Sequence, residues 1–360
     1  MTRFRRTCAA AFCALSIALT ARAASPGRTL VITMTNDPDA NQIKVYDAGS
    51  HALLQTLDTH GRGGAGGNAR GVKAFGLSLV AVVNNGSNSV ALFRRTADDL
   101  KFERVVSTTS APVSIDFAND HMYVAGATTV DSFTLHDESV DGIDGTVDLL
   151  LAGGGSPSPG STAQVGAVGD RQLLVTLKTD PDPGTVDVVP LDRGRVTGAP
   201  PSAVSAPDGT LTPFGFAVYD DGTAVMTLAH SDQDALFRDG AFARVIAAGQ
   251  AASCWMTRDG KYVFAANTGS RTISRVIGTG HNVFVDAPVA AVIATGGAPA
   301  DIDAASGVLG VIDHGGGQSH LSVFTYDAFG DLTPAGSPID VGVANANGIA
   351  VLAPRRDGRT

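Results

Sequence analysis

The sequence predicts an all-β protein, a seven-bladed β-propeller of four-stranded blades in which the N- and C-terminal strands share one blade. Three observations predict this fold. A strand–turn–strand phrase recurs along the chain, a second series of apolar strands has a regular spacing, and the two ends of the chain complement each other. Short runs of β-branched residues recur between Gly, Asn and Asp, and the sequence lacks stretches with the periodicity of a helix.

The repeated phrase is clearest in residues 80–91 (VAVVNNGSNSVA) and 263–274 (VFAANTGSRTIS). Each copy reads as a buried strand, a polar turn and a second β-branched strand. Asn and Gly supply the positive φ angles that such tight turns require. Looser copies lie at 30–46, 122–135, 174–189, 224–237 and 309–324, which gives one hairpin for each blade.

A second series of strands supports the same number of blades. Short apolar strands precede the hairpins, centred near Val72, Ser114, Val165, Phe216, Cys254, Ile302 and Ile349. Their mean spacing of about 46 residues suits a four-stranded blade. The outermost strands are expected at 52–57, 147–151 and 289–294.

The two ends of the chain predict how the ring closes. The first hairpin, 30–46, has no inner strand before it, and the last inner strand, 348–352, has no hairpin after it. One blade assembled from both ends would close the ring and leave no open sheet edge.

The first 23 residues have the three parts of a secretory signal. A basic start precedes an apolar run at 9–19, which ends in Ala21-Arg22-Ala23, and the run is too short to cross a bilayer. We expect cleavage after Ala23, a single propeller domain at 24–360, and a periplasmic or secreted protein without a membrane span.

The charge balance restricts the partners. The signal contains four arginines and no acidic residue, so its removal changes the net charge from −9 to −13. Such an acidic surface argues against binding nucleic acid or anionic lipid. Cys254 is then the only cysteine and cannot form an internal disulfide. We expect a monomer.

Ligand-binding residues are expected on one face of the ring, here called the loop face. It carries the turns between the second and third strands of each blade and the connections into the inner strands. The Gly-rich connection 60–71 either lies across the channel mouth there or is mobile. The amide-rich composition suits a hydroxylated ligand, although Asn is also a common turn former. The substrate-binding candidates are Asn36, Asn85, Gln164, Asn267 and Asn347.

Hydrolysis of an ester needs a base that activates water and a donor to the developing oxyanion. His230 and His314 are the candidate bases, and Arg70 is the candidate oxyanion or substrate clamp. The alternative for each histidine is an ordinary hydrogen-bonding turn residue. The alternative for Arg70 is an ion pair with a carboxylate in the channel.

No metal site is predicted. The acidic pairs Asp37-Pro-Asp39, Asp180-Pro-Asp182 and Asp141-Gly-Ile-Asp144 lack the ligand spacing of an EF-hand and read as solvated turns. We expect no cofactor, with a divalent cation left open.

Residues 262–274 and 80–90 resemble the YVTN-type repeat of the bacterial β-propeller lactonase family, which includes 6-phosphogluconolactonase-like proteins. Residues 32–36 and 253–262 are similar to an exported branch of it, and the likeness covers the chain after the signal. The resemblance implies a propeller fold and lactone hydrolysis. Family members carry a Gly-Pro-Arg-His-like step where this chain reads ASCWMTRDG at 252–260, so no catalytic residue is transferred.

Two functions follow as hypotheses. The first is an exported lactonase that hydrolyses a sugar lactone or related cyclic ester at the loop face. The alternative is a non-catalytic propeller that binds a carbohydrate, a peptide or an envelope protein.

Overall fold

A computed structural model describes residues 27–96, 99–136, 139–178, 183–279 and 282–355. The signal predicted at 1–23 lies outside these residues. The described chain forms 30 strands and two single-turn 3-10 helices, Asn85–Ser87 and Ala229–Ser231.

The strands are, in chain order, β1 (Leu30–Met34), β2 (Gln42–Asp47), β3 (Leu53–Asp58), β4 (Val72–Phe75), β5 (Leu79–Asn84), β6 (Ser89–Thr96), β7 (Asp99–Ser107), β8 (Pro112–Ala118), β9 (His121–Gly126), β10 (Thr129–His136), β11 (Ser139–Asp148), β12 (Thr162–Val168), β13 (Gln172–Leu177), β14 (Thr185–Asp192), β15 (Arg195–Val196), β16 (Ser202–Ser205), β17 (Pro213–Val218), β18 (Ala224–Leu228), β19 (Gln233–Arg238), β20 (Ala241–Ala247), β21 (Ser253–Asp259), β22 (Tyr262–Asn267), β23 (Thr272–Thr279), β24 (Asn282–Val292), β25 (Ala298–Ala305), β26 (Val308–Gly315), β27 (Gln318–Tyr326), β28 (Leu332–Pro334), β29 (Ile339–Asp340) and β30 (Asn347–Leu352).

The strands form seven antiparallel sheets, as predicted. Sheet 1 has the order β3-β2-β1-β30, and sheets 2 to 7 follow in chain order, beginning with the inner strands β4, β8, β12, β17, β21 and β25. The shared blade is confirmed, because β1 pairs with β30 in the register Leu30↔Leu352 to Thr33↔Ile349. Its inner strand therefore comes from the C-terminus and its three outer strands from the N-terminus.

Burial follows position within each sheet. Every residue of β5 and β22 is buried, because the second strands pack between two neighbouring sheets on both faces. The outermost strands face solvent, and here two sequence predictions were wrong. The outermost strand predicted at 147–151 is β11, which begins at Ser139, and the one predicted at 289–294 is β24, which begins at Asn282. β11 has acidic residues and glycines at half of its positions, which interrupt a hydrophobic pattern. β24 is mostly apolar, and the sequence prediction missed only its N-terminal part.

The inner strands expose one edge to the channel, and side chains of neighbouring sheets satisfy the backbone groups there. An unpaired buried N–H would be costly, so these bonds help to hold adjacent sheets together. The pairs are Ser114 with Val165 N–H (3.1 Å), Asp116 with Ala167 N–H (2.9 Å), Gln164 with both backbone groups of Phe216 (3.0 and 2.8 Å), and Asp303 with Val351 N–H (2.8 Å).

The Gly-rich connection lies across the channel. Residues 62–71, here called the plug segment, hydrogen-bond with residues of all seven sheets. Their partners include Asn347, Val83, Ile115, Ala163, Phe216, Trp255 and Asp301, in sheets 1 to 7 respectively. The segment therefore separates the two ends of the channel.

Candidate functional site

The plug segment leaves one cavity at each end of the channel. The loop-face cavity has a volume of about 460 Å³ and is lined by the plug glycines and by side chains from sheets 1, 6 and 7. The opposite-face cavity, of about 620 Å³, lies among the ends of the inner strands and the turns that follow them. Both volumes are in the range of small-molecule sites.

The loop-face cavity contains one of the two candidate bases. His314, on β26, places Nε2 2.8 Å from the carbonyl oxygen of Ala346. A carbonyl only accepts hydrogen bonds, so Nε2 carries the proton and a neutral His314 has its lone pair on Nδ1. No described residue hydrogen-bonds with Nδ1, which leaves this nitrogen able to accept a proton from water.

Two of the predicted amides also reach this cavity, where they hold the plug segment. The Asn36 side chain accepts from the N–H groups of Gly64 (2.8 Å) and Ala65 (3.0 Å) and donates to the Ala65 carbonyl (2.7 Å). Asn347 donates to the same carbonyl at 3.2 Å and to the Asn68 side chain at 2.9 Å. Asn36 and Asn347 are thus positioned to shape the cavity as well as to contact a ligand.

The remaining amide candidates lie outside the loop-face cavity. Asn85 donates to the Pro112 carbonyl at 3.1 Å. Gln164 is fully buried in its bonds to Phe216. Asn267 is also buried and donates to the hydroxyls of Thr272 (3.1 Å) and Ser274 (2.7 Å).

The second candidate base, His230, is exposed on the same face, in the short helix Ala229–Ser231. Its Nδ1 lies 2.9 Å from the hydroxyl of Thr212, and the residue does not line the loop-face cavity.

Arg70 belongs to the opposite-face cavity. Its backbone begins at the loop face, with φ of 59°, and its guanidinium extends through the channel to the far side. There Nη1 lies 3.3 Å from Asp116, and Nη2 donates to the Phe216 carbonyl at 3.3 Å. Of the two alternatives that the sequence left open, the structure contains the carboxylate partner.

A fully buried carboxylate lies behind Arg70. Asp301 accepts from the N–H groups of Ile302 (2.9 Å) and Arg70 (3.2 Å). The pKa of Asp301 is raised to about 8, chiefly by burial and also by the negative charge of Asp303, while the two hydrogen bonds and the Arg70 charge oppose the shift. Asp301 therefore binds a proton more readily than an exposed aspartate, and it anchors the plug segment through the Arg70 N–H.

Sequence reasoning missed two residues next to the loop-face cavity. Trp255, on the inner strand β21, forms part of its wall, donates from Nε1 to the Asn68 carbonyl at 2.8 Å and packs edge-on against Phe214. Lys178 lies behind the plug with Nζ 5.8 Å from the Phe214 ring centroid, and burial lowers the pKa of Lys178. The position of the only tryptophan on an inner strand was the available signal, whereas Lys178 had none.

The acidic pairs considered for a metal form ordinary contacts where they are described. Asp37 accepts from the N–H groups of Asp39 (2.8 Å) and Ala40 (3.0 Å), as in an Asx turn. Asp144 accepts from Ser132 at 2.5 Å, and Asp180-Pro-Asp182 lies outside the described residues. Among the residues described, no group of three or more His, Cys, Asp or Glu side chains is arranged to hold a metal ion. Nor does any described helix have the length and apolar character needed to cross a membrane.

No known sequence-family profile matches the chain, and no curated protein matches it in sequence. Solved structures do match. The periplasmic gluconolactonase PpgL of Pseudomonas aeruginosa has a TM-score of 0.65 at 15% identity, over 91% of this chain and 99% of its own. A candidate 6-phosphogluconolactonase of Bacteroides fragilis has a TM-score of 0.64 at 13% identity, over 91% and 99%.

This chain has the propeller fold of the lactonases. The resemblance inferred from its repeats is thus confirmed for the fold. Virginiamycin B lyase of Staphylococcus aureus also matches, with a TM-score of 0.54 at 12% identity, over 76% of this chain and 85% of that one. Since proteins with different chemistries share the fold, the fold does not define the reaction, which depends on the residues that line the cavities.

Proposed function

We propose that the protein hydrolyses a small, uncharged, hydroxylated lactone in the loop-face cavity, with His314 as the general base. The proposal is supported chiefly by one observation: the Ala346 carbonyl orients the His314 imidazole and leaves Nδ1 available at a cavity of about 460 Å³. The fold likeness to gluconolactonases is consistent with this chemistry.

The proposed reaction uses His314 twice. Nδ1 takes a proton from water, the resulting hydroxide attacks the lactone carbonyl, and a tetrahedral oxyanion forms. When the ring C–O bond breaks, the imidazolium returns its proton to the departing ring oxygen, and the product is a hydroxy acid. Such proton transfer contributes about 10²- to 10⁴-fold to a rate.

The plug segment is the proposed source of oxyanion donors. Gly66 and Gly67 line the cavity, and no described residue accepts a hydrogen bond from either N–H. Backbone N–H groups directed at a developing oxyanion stabilise the transition state. Asn36 and Asn347 are proposed to keep this segment in position and to contact substrate hydroxyls.

The charge of the cavity indicates the substrate class. Neither arginine nor lysine is among the described residues that line it. The nearest ammonium group, Lys178, lies behind the plug segment and donates to the Gly160 carbonyl. A phosphorylated lactone would therefore have no cation in direct contact with it in the cavity, whereas a neutral sugar lactone needs only hydrogen bonds. The same observation suits the second candidate function, a protein that binds a neutral carbohydrate without turnover.

Proton release from aldonolactones and simple γ- and δ-lactones, measured with and without EDTA, tests the proposal. We expect His314→Gln to lower kcat/KM by about 10²-fold or more. His230→Gln is the matched control, since it removes an exposed histidine of the same face that lies outside the cavity, and its turnover should equal that of the parent protein.

Turnover that is unaffected by His314→Gln would contradict the proposed base. Saturable binding with no turnover in the parent protein would instead assign the cavity to a carbohydrate-binding protein.

We also propose that the protein is exported and processed after Ala23. The predicted signal supports this, and one of the structural neighbours is periplasmic. Mass spectrometry of the protein from its native cell envelope should give an N-terminus at Ala24. An intact Met1 N-terminus on the mature protein would contradict export by cleavage.

A further inference from the structure

The opposite-face cavity is the larger of the two, and the lactone chemistry proposed above does not use it. All seven inner strands contribute to its walls, and the plug segment separates it from the loop face. Many of its wall residues are Ala or Gly, so the space is shaped by backbone and bounded by a few long polar side chains. These polar groups determine which ligand the cavity could bind.

The cations of this cavity differ in how fully a neighbouring carboxylate neutralises them. Arg70 and Asp116 neutralise each other at 3.3 Å, with side chains only 16% and 12% exposed. Arg258 pairs with Asp220 at 2.9 Å, but the Asp220 side chain is 94% exposed. Water screens a carboxylate in that position. The other partners of the guanidinium are neutral, since Nε donates to the Gly260 carbonyl at 2.6 Å, Nη1 donates to the Val218 carbonyl at 2.8 Å, and the group lies 4.6 Å from the Tyr219 ring centroid. Arg258 therefore has no buried counter-charge, and much of its charge is available to a ligand.

Lys73 is the second available cation. It lies on β4, half-buried in the cavity wall, and forms no ion pair with any described residue. The remaining carboxylate, Asp303, accepts from the Thr257 hydroxyl at 3.2 Å and from the Val351 N–H at 2.8 Å. The cavity therefore offers two available cations beside one carboxylate that is already hydrogen-bonded, in a protein whose overall charge is negative.

We propose that this cavity binds a small hydroxycarboxylate. The ligand carboxylate pairs with Lys73 and Arg258, and its hydroxyls donate to Asp303 and to the outer oxygens of the Arg70–Asp116 pair. A hydrocarbon acid would leave these carboxylates without new donors, and a neutral polyol would leave the two cations uncompensated. The site does not depend on lactone hydrolysis, although the product of that reaction would belong to this ligand class.

Calorimetry on the intact, processed protein at low ionic strength tests the proposal with gluconate as the probe. We expect saturable binding that Lys73→Met weakens by at least about tenfold. Lys101→Met, which removes an exposed lysine from β7, is the matched control and should bind as the parent does. Sorbitol, without the carboxylate, and hexanoate, without the hydroxyls, should each bind at least about tenfold more weakly than gluconate.

Two further measurements distinguish the cavities. Gluconate should bind His314→Gln with unchanged affinity, and it should leave the fluorescence of the single tryptophan unchanged, because Trp255 lies at the loop face. Failure of gluconate to bind would overturn the proposal. So would binding that His314→Gln abolishes and Lys73→Met does not, because it would place gluconate in the loop-face cavity. Lactone turnover is tested separately by proton release, so failure of this proposal and failure of the lactonase proposal can be distinguished.

Discussion

The indole N–H of Trp255 donates to the carbonyl of Asn68 at 2.8 Å, across 187 positions of the chain. This bond joins the inner strand of sheet 6 to the segment that crosses the channel. The same side chain forms part of the wall of the loop-face cavity, so Trp255 contributes both to the fold and to the proposed site. The plug is therefore part of the ring's hydrogen-bond network.

Trp255→Phe should destabilise the protein by about 1–3 kcal/mol, because the Asn68 carbonyl would be left buried without a donor. Urea unfolding followed by far-UV circular dichroism measures the change. Tyr46→Phe is the control, since its hydroxyl bonds with no described residue. An unfolding midpoint that is equally unaffected in both variants would mean that the indole bond does not stabilise the plug.

Two glycines of the plug should respond differently to a methyl group. A Cβ on Gly63 would lie 2.3 Å from the backbone carbon of Asn36, whereas a Cβ on Gly66 would meet no atom within 4 Å. Gly63→Ala should therefore shift the segment, lower the unfolding midpoint and alter the Trp255 fluorescence. Gly66→Ala should leave the position of the segment, the unfolding midpoint and the Trp255 fluorescence unchanged. Equal effects in the two variants would contradict this arrangement of the plug.

The fold could be predicted from the sequence because its signals are local. Each hairpin has a buried strand, a short turn and a second buried strand, and residues 80–91 and 263–274 share this pattern with Asn, Gly and Ser at matching turn positions. The outermost strands could not be delimited in the same way. β11 contains Gly142, Gly145 and several acidic residues, and solvent on one side removes the need for an apolar pattern.

The candidate site was less predictable, since it depends on distances across the ring. Residue positions placed His314, Asn36 and Asn347 on one face, and the structure brings these three to one cavity. No local sequence pattern indicated that the Gln164 side chain would hydrogen-bond with the backbone of Phe216 in the next sheet. Nor could the sequence indicate that the long side chain of Arg70 would extend to the far end of the channel.

Asp187 should make the protein less stable as the pH rises. Its Oδ2 accepts from the Leu150 N–H at 2.8 Å, and burial raises the pKa of Asp187 from 3.8 to about 7. The folded state then binds more protons than the unfolded state between pH 4 and 7, so the free energy of unfolding falls as the pH rises through this window. The loss is on the order of a few kcal/mol.

Asp187→Asn keeps an oxygen for the Leu150 N–H and removes the titrating group. Chemical unfolding between pH 4 and 8 should therefore show a smaller loss of stability in this variant, which should exceed the parent in stability at pH 8. Asp148→Asn, at an exposed position on β11, should retain the parent's pH profile. A parent-like profile in Asp187→Asn would show that the carboxylate does not titrate in this range.

The Arg70–Asp116 pair should be strongly coupled, because both side chains are largely removed from water. Asp116→Asn retains an oxygen for the Ala167 N–H but leaves the guanidinium without its counter-charge, which should cost about 3 kcal/mol. Arg70→Met should cost a similar amount by leaving the carboxylate alone. The double variant should then be more stable than the sum of the two losses predicts, and urea unfolding of all four proteins measures the difference.

Arg258 and Asp220 provide the matched comparison in the same cavity, because they are 2.9 Å apart but the Asp220 side chain is 94% exposed. Asp220→Asn should leave the free energy of unfolding nearly unchanged, since water already solvates that carboxylate. A loss of stability in Asp220→Asn as large as that in Asp116→Asn would contradict the view that burial makes Arg70 and Asp116 interdependent. A large coupling confined to Arg70 and Asp116 would leave Arg258, with Lys73, as the cations available to an anionic ligand.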